Sequence, residues 1–176
     1  DFKLDKAPVD GVLPDFEHIA ELADKGILCM MIDCLRVERP TWTKSESLVG
    51  PVIEKELQGT QGMFIVTLMS SHIHRIQQTV NAALGAGRKI VFVGRSVEQN
   101  VEAALTLGKL TLPRESIVNK RDIQEHKPST LCVIIAGSQG QEGSSLMRAV
   151  YGEHPIIQIR EQDKVLFSAD VIPGNE

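Results

Sequence analysis

The chain has 176 residues, 42% of them hydrophobic and 24% charged, which is enough for a domain with a sizeable core and excludes a disordered polyelectrolyte. Its net charge of −4 excludes a globally basic nucleic-acid binder, so affinity for a polyanion has to come from a local patch. Three cysteines without a C-x₂-C spacing exclude a cysteine zinc site of that kind and read as reduced thiols, no apolar run reaches membrane-spanning length, and 4% aromatics leave little for a base-stacking platform.

Residues 1–14 lack a sustained period and hold Pro8, Gly11 and Pro14, so they read as an extended lead-in. Asp15 is placed to cap a helix through Lys25 with Phe16, Ile19, Ala20, Leu22 and Ala23 on its apolar face and Gly26 as its stop. The run Ile27 to Ile32 predicts a buried strand that ends in Asp33. Thr43-x-x-Glu46 has capping-box spacing, and Gly50-Pro51 predicts a kink or restart in the helix it opens. In that helix Leu48, Val49, Val52, Ile53 and Leu57 are expected to face inward.

Met63 to Leu68 predicts the next strand, followed by a helix capped by Ser70 or Ser71, with Ile73, Ile76, Val80, Ala83 and Leu84 inward. Lys89 to Val93 and a helix from Ser96 to Leu107 repeat the unit, with Ser96-x-x-Gln99 as the cap. Ile117-Val118 reads as a short strand and Asp122 to His126 as a helical turn. Leu131 to Ala136 is an unbroken apolar run that stops in Gly137-Ser138-Gln139-Gly140, ahead of a short helix from Ser144 to Val150. Ile156 to Ile159 and Val165 to Ala169 flank Glu161-Gln162-Asp163, the pattern of a hairpin. These elements predict an α/β fold: a three-layer, mostly parallel sheet with helices on both faces and an antiparallel edge hairpin.

In such a sheet ligands bind past the carboxyl ends of the strands, so the residues after Ile32, Leu68-Met69, Val93 and Ala136 are expected to converge. Arg75 and Arg95 fall there, with Arg36 and Arg39 in the loop after Asp33, and guanidinium groups suit phosphate. The plain alternative is a set of ordinary β-to-α turns whose glycines serve only tight connections. Neither a P-loop nor a G-x-G-x-x-G fingerprint is present, which argues against a nucleotide hydrolase or a common nicotinamide dehydrogenase. His72 and His74, two apart at a helix start, point to different sides and share a zinc only if the segment stays extended; capping or phosphate contact is the better reading, with a plain surface histidine as its alternative. Asp33 reads as a turn cap or as a carboxylate facing the site.

Taken in order, several short motifs resemble the ribonuclease J family, of the β-CASP group of metallo-β-lactamase-fold nucleases. They are Asp1-Phe2-Lys3 with Pro8-Val9-Asp10-Gly11, Glu38-Arg39-Pro40, His72-Ile73-His74-Arg75-Ile76-Gln77-Gln78, Gly94-Arg95-Ser96, Gly137-Ser138-Gln139-Gly140 and Ile172-Pro173-Gly174-Asn175-Glu176. The resemblance implies a piece of a longer zinc-dependent ribonuclease: 1–14 a lead-in from a metallo-β-lactamase domain, 15–170 the β-CASP domain and 171–176 a return linker. It implies RNA phosphodiester hydrolysis, 5′-to-3′ or internal, on 5′-monophosphorylated RNA, with this domain as one wall of the RNA channel. Two zinc ions belong to the full-length parent and none to this piece, which is expected to be inactive alone.

The resemblance makes Asp1 a metal ligand and Asp33 the acid of the first β-CASP motif, hence catalytic. Expected RNA or phosphate contacts are His74, Arg75, Arg95, Ser96, Ser138 and Gln139. A homodimer of the parent, a cytoplasmic location and no membrane partner complete the expectation. Alternatives are a β-CASP nuclease acting on DNA or RNA 3′ ends, and a non-catalytic nucleic-acid-binding or assembly domain. The chain departs from the family in Asp33-Cys34-Leu35-Arg36, where Asp-Ser-Thr-Asn is usual, and in Gly137-Ser138-Gln139-Gly140-Gln141-Glu142, where Gly-Ser-Gln-Gly-Glu-Pro is usual.

Overall fold

The computed structural model describes residues 3–34, 37–170 and 174. The chain forms two compact units, Asp1–Leu48 and Val49–Glu176.

In the first unit α1 (Phe16–Asp24) starts where expected, with the Asp15 side chain accepting from the His18 N–H. The helix buries none of its residues within the described structure, and Phe16, Ile19 and Leu22 remain exposed. The strand expected over Ile27 to Ile32 does not form. Leu28 and Met31 are fully exposed, at 104% and 94%. An apolar run becomes a strand only beside another strand, and no strand occurs among the described residues of this unit. The capping box at Thr43 is replaced by a longer-range device. Asp5 accepts from the Glu46 N–H at 2.7 Å and from the Ser45 hydroxyl at 3.1 Å, ahead of the 3₁₀ turn Glu46–Leu48. The Glu46 and Ala7 N–H groups hold the Asp5 carboxyl below the usual carboxylate range.

The second unit opens with α2 (Val49–Gln58). The helix restarts as expected, the 3₁₀ turn ending at Leu48 and α2 beginning at Val49, and Pro51 stands in its first turn, where its missing N–H would have had no helical partner. The Gly50 N–H is satisfied by Gln78 Oε1 at 2.7 Å. Ile53 and Leu57 are buried, whereas Leu48 and Val52 are more than half exposed.

Four strands follow: β1 (Phe64–Leu68), β2 (Lys89–Val93), β3 (Leu131–Ile135) and β4 (Lys164–Ser168), in the sheet order β2-β3-β1-β4. Every pairing among them is parallel, with Phe64 opposite both Cys132 and Lys164. β1 and β3 are buried along their whole length, as their unbroken apolar runs predict. Ile117 makes an isolated parallel bridge to Ile90, and the expected turn after it is a 3₁₀ helix, Lys120–Glu125.

Alternation along the strands supplies two cores. Phe64, Val66, Leu68, Ile90, Phe92, Cys132 and Ile134 pack with α2, α3 (Ile73–Gly85) and α4 (Arg95–Thr106). Ile65, Val91, Val93, Val133 and Ile135 face the other way, onto Val118, Ile123, Ile157 and α5 (Ser145–Val150). The expected three layers are present.

The expected hairpin is corrected. β4 runs parallel to β1, and residues 156–159 form no strand. Two local devices explain this. His154 Nδ1 accepts from the Ile156 and Ile157 N–H groups at 3.2 and 3.0 Å, taking donors that a ladder would need. Asp163 accepts from the Arg160 N–H at 2.9 Å and the Met63 N–H at 2.6 Å, which docks the turn on the start of β1 and launches β4 alongside it. Lys164 then pairs with Glu56 at 2.9 Å, tying β4 to α2.

Arg88, 6% exposed, locks the opposite end of the sheet. It donates to the carbonyls of Thr60 (2.5 Å), Gly62 (2.8 Å) and Leu131 (3.1 Å), and so ties the entries of β1 and β3 together. Arg88→Met leaves three buried carbonyls without these donors and is expected to cost about 3 kcal/mol, read as a lowered urea midpoint.

His154 supplies a pH dependence. Burial, then the charges of Arg148 and Lys120, push its imidazole below the ordinary value of 6.5, and only the neutral ring accepts through Nδ1. A folded-state pKa below the unfolded one means stability that is full above about pH 6.5 and lost as pH falls through the folded value. Urea unfolding should weaken between pH 7 and 5 more steeply in the wild type than in His154→Asn; parallel pH profiles would refute this.

Candidate functional site at the carboxyl edge of the sheet

Parallel pairing brings the ends of β1, β2 and β3 to one edge, so three of the four expected loops do converge. Of the fourth, Ile32 ends no strand, and Asp33 lies exposed in the first unit. At the edge, adjacent strands β1 and β3 send their chains to opposite faces. α3, after β1, packs in one core, and α5, after β3, in the other. Such a divergence opens a crevice between two strand ends, the place where open α/β sheets bind ligands.

The β1 loop is closed by His72 rather than by a serine. His72 is the N-cap of α3, and its Nδ1 accepts from the Arg75 N–H at 3.3 Å. His74 and Arg75 follow in the first helical turn, which confirms that His72 and His74 serve different sides. Arg75 Nη1 donates to the Ser168 carbonyl at 2.8 Å, so part of this guanidinium ties α3 to the end of β4.

The β2 loop is one residue, Gly94, and α4 begins at Arg95 without a side-chain cap from Ser96. Gly94 has φ +112°, and a Cβ there would meet Ala136 Cβ at 2.6 Å. Glycine is therefore required for the β2 and β3 loops to touch. Arg95 and Ser96 are exposed beside it. Asn100 Nδ2 reaches Ser70 Oγ at 3.3 Å and joins the β1 loop to α4.

The β3 loop turns through Gly137, φ +122°, where a Cβ would lie 2.5 Å from Ser144 Oγ. The Leu146 N–H then donates back to the Ala136 carbonyl at 3.0 Å. Ser138 and Gln139 are half-buried on this turn, and Gln139 Oε1 is buried without a hydrogen-bond partner among the described groups. His74, Arg75, Arg95, Ser96, Ser138 and Gln139 thus share one edge, with exposed Arg95 and half-buried Arg75 at the helix starts and a polar, glycine-shaped loop after β3.

Asp1, the expected metal ligand, lies outside the described residues. Among the described residues no three His, Cys, Asp or Glu side chains cluster closely enough to hold a metal, so these residues do not make a zinc site by themselves. Cys132 is not a nucleophile, because burial pushes its thiol up to about 12. Among the described residues no helix is long and apolar enough to cross a membrane. A concave surface lined by Met63, Ile123, His126, Lys127, Leu131 and Arg160 lies at the opposite edge, beside the entries of β1 and β3.

Sequence reasoning missed Asn100, Glu98 and Lys120, and read Ser70 only as a helix cap. Glu98 follows Gly94 by one helical turn, a spacing that signals contact with the helix start. Lys120 carries no such signal, being 22 residues from the Glu98 it pairs with.

The family profile described as "Ribonuclease J, beta-CASP domain" matches residues 61–176. Ribonuclease J of Helicobacter pylori is 34% identical over 176 residues, which are 100% of this chain and 26% of that protein. Ribonuclease J 1 of Streptococcus pyogenes is 35% identical over 175 residues, 99% of this chain and 31% of that protein. Ribonuclease J of Mycolicibacterium smegmatis is 35% identical over 176 residues, 100% of this chain and 32% of that protein. The chain therefore spans about a quarter to a third of these relatives. With a parallel α/β sheet whose loops gather at one edge and a profile match over most of its length, the chain belongs to the ribonuclease J family and carries its β-CASP domain.

Proposed function

We propose that this chain is the part of a zinc-dependent ribonuclease that forms one wall of its RNA channel, with the carboxyl edge of the sheet toward RNA. The whole enzyme would hydrolyse phosphodiester bonds of 5′-monophosphorylated RNA, exonucleolytically from the 5′ end or internally. The observation that carries the reading is that Arg95 and Ser96, after β2, and Ser138 and Gln139, after β3, leave adjacent parallel strands at the same edge of the sheet. Helix starts, guanidinium groups and a hydroxyl suit the repeated phosphates of one strand, while the half-buried loop fits a ribose or base edge. Arg75 and His74 extend this edge, with Arg75 sharing its guanidinium between Ser168 and the ligand.

Asp33 is proposed as the catalytic acid of the whole enzyme, and Asp1 as one of its metal ligands. Zinc chemistry is proposed for the whole enzyme only. Residues 1–14 and 171–176 are proposed as the two connections to a metallo-β-lactamase domain, in a cytoplasmic enzyme that forms homodimers.

In the full-length enzyme, Asp33→Ala is expected to slow single-turnover cleavage of 5′-monophosphorylated RNA by about a hundredfold at saturating RNA, with Kd nearly unchanged. The folded 176-residue chain assayed beside it with zinc is expected to leave the RNA intact. Wild-type cleavage by the folded Asp33→Ala variant would remove Asp33 from the mechanism. Full-length enzyme that binds RNA without cleaving it would favour a binding or assembly role instead.

A further inference from the structure

The start of α4 is held by an ion pair that the proposed RNA contacts do not include. Chain 117–120 runs beside edge strand β2: Ile117 bridges Ile90 in parallel, and the Val118 N–H donates to the Ile90 carbonyl at 2.9 Å. Running in the same direction, three residues further on, it brings Lys120 level with the end of β2. There Lys120 Nζ contacts both carboxylate oxygens of Glu98, at 2.6 and 2.9 Å. The same Glu98 Oε1 accepts from the Gly94 N–H at 3.3 Å, while the Glu98 N–H donates to the Gly94 carbonyl at 3.0 Å. One residue, through its carboxylate and its backbone N–H, therefore holds both polar atoms of the glycine that forms the β2 loop.

Resting on the RNA-channel reading above, we infer that Lys120 and Glu98 are a pair of positioning residues: Glu98 sets Gly94 and the first turn of α4, and Lys120 neutralises Glu98 so that Arg95 and the start of α4 stay available to RNA phosphate. Glu98 stands three residues after Arg95, on the same side of the helix. Without Lys120, its carboxylate would draw the Arg95 guanidinium across and place a negative charge where phosphate has to approach. Both side chains of the pair are more than a third exposed, at 39% and 36%, so the pair adds little to folding and its effect lies in the field it sets.

The test is RNA affinity of the full-length enzyme for a labelled, 5′-monophosphorylated single-stranded RNA at fixed moderate salt, beside thermal midpoints. Lys120→Met is expected to weaken binding about fivefold with an unchanged midpoint. Glu98→Gln, whose amide oxygen still accepts from Gly94, is expected to bind as tightly as the wild type or more tightly. The double variant Glu98→Gln with Lys120→Met is expected to return to near wild-type affinity. Wild-type binding by Lys120→Met overturns the inference. So does a double variant as weak as Lys120→Met, since Lys120 would then be a direct phosphate contact. A wild-type enzyme that binds no RNA overturns the functional reading and this inference with it.

Discussion

The Arg88 guanidinium holds the entries of β1 and β3 through carbonyls of Thr60, Gly62 and Leu131, and everything at the far edge of the sheet depends on that register. A parallel ladder places all carboxyl ends on one side, but only a fixed register brings them level. With Phe64 opposite Cys132 and Val93 opposite Ile135, the loops after β1, β2 and β3 leave the sheet at nearly the same height. Gly94 and Gly137 then allow backbone to approach backbone where a Cβ would collide with Ala136 or Ser144. The floor of the candidate site is thus built from hydrogen bonds and close packing at its opposite end and along its length.

The electrostatics of the edge follow a different logic from the chain as a whole. A chain of net charge −4 does not attract a polyanion over its entire surface. What it has is a short arc of cations, each partly committed: Arg75 to the Ser168 carbonyl and Lys120 to Glu98. Exposed Arg95 stands between them at the start of α4. On the proposed reading such an arc would bind through a few phosphate contacts, its strength set by how the neighbouring carboxylates are compensated. On that reading an ion pair of little consequence for folding would have consequence for a ligand.

The two corrections to the expected fold share a cause. The run Ile27 to Ile32 has a strand's composition but no strand beside it among the described residues of its unit. Residues 156–159 also have a strand's composition, yet His154 takes two of their N–H donors and Asp163 directs the next segment onto β1. In both cases the backbone hydrogen bonds go somewhere that local composition does not report.

Periodicity and punctuation by themselves determined the elements: α1 with Asp15 as its cap, the four apolar runs that became β1 to β4, and the glycines that follow β2 and β3. These are legible because a strand buried on both faces, as β1 and β3 are, is apolar throughout, and because a tight turn with positive φ favours glycine. The order of the short motifs likewise pointed to the family before any contact was known. Tertiary structure decided the rest. The order β2-β3-β1-β4, the parallel direction of β4, the capping of Glu46 by Asp5 and the pairing of Glu98 with Lys120 join residues 22 to about a hundred positions apart. No local pattern encodes such pairs, because each depends on which surfaces remain unsatisfied once the neighbouring elements have packed.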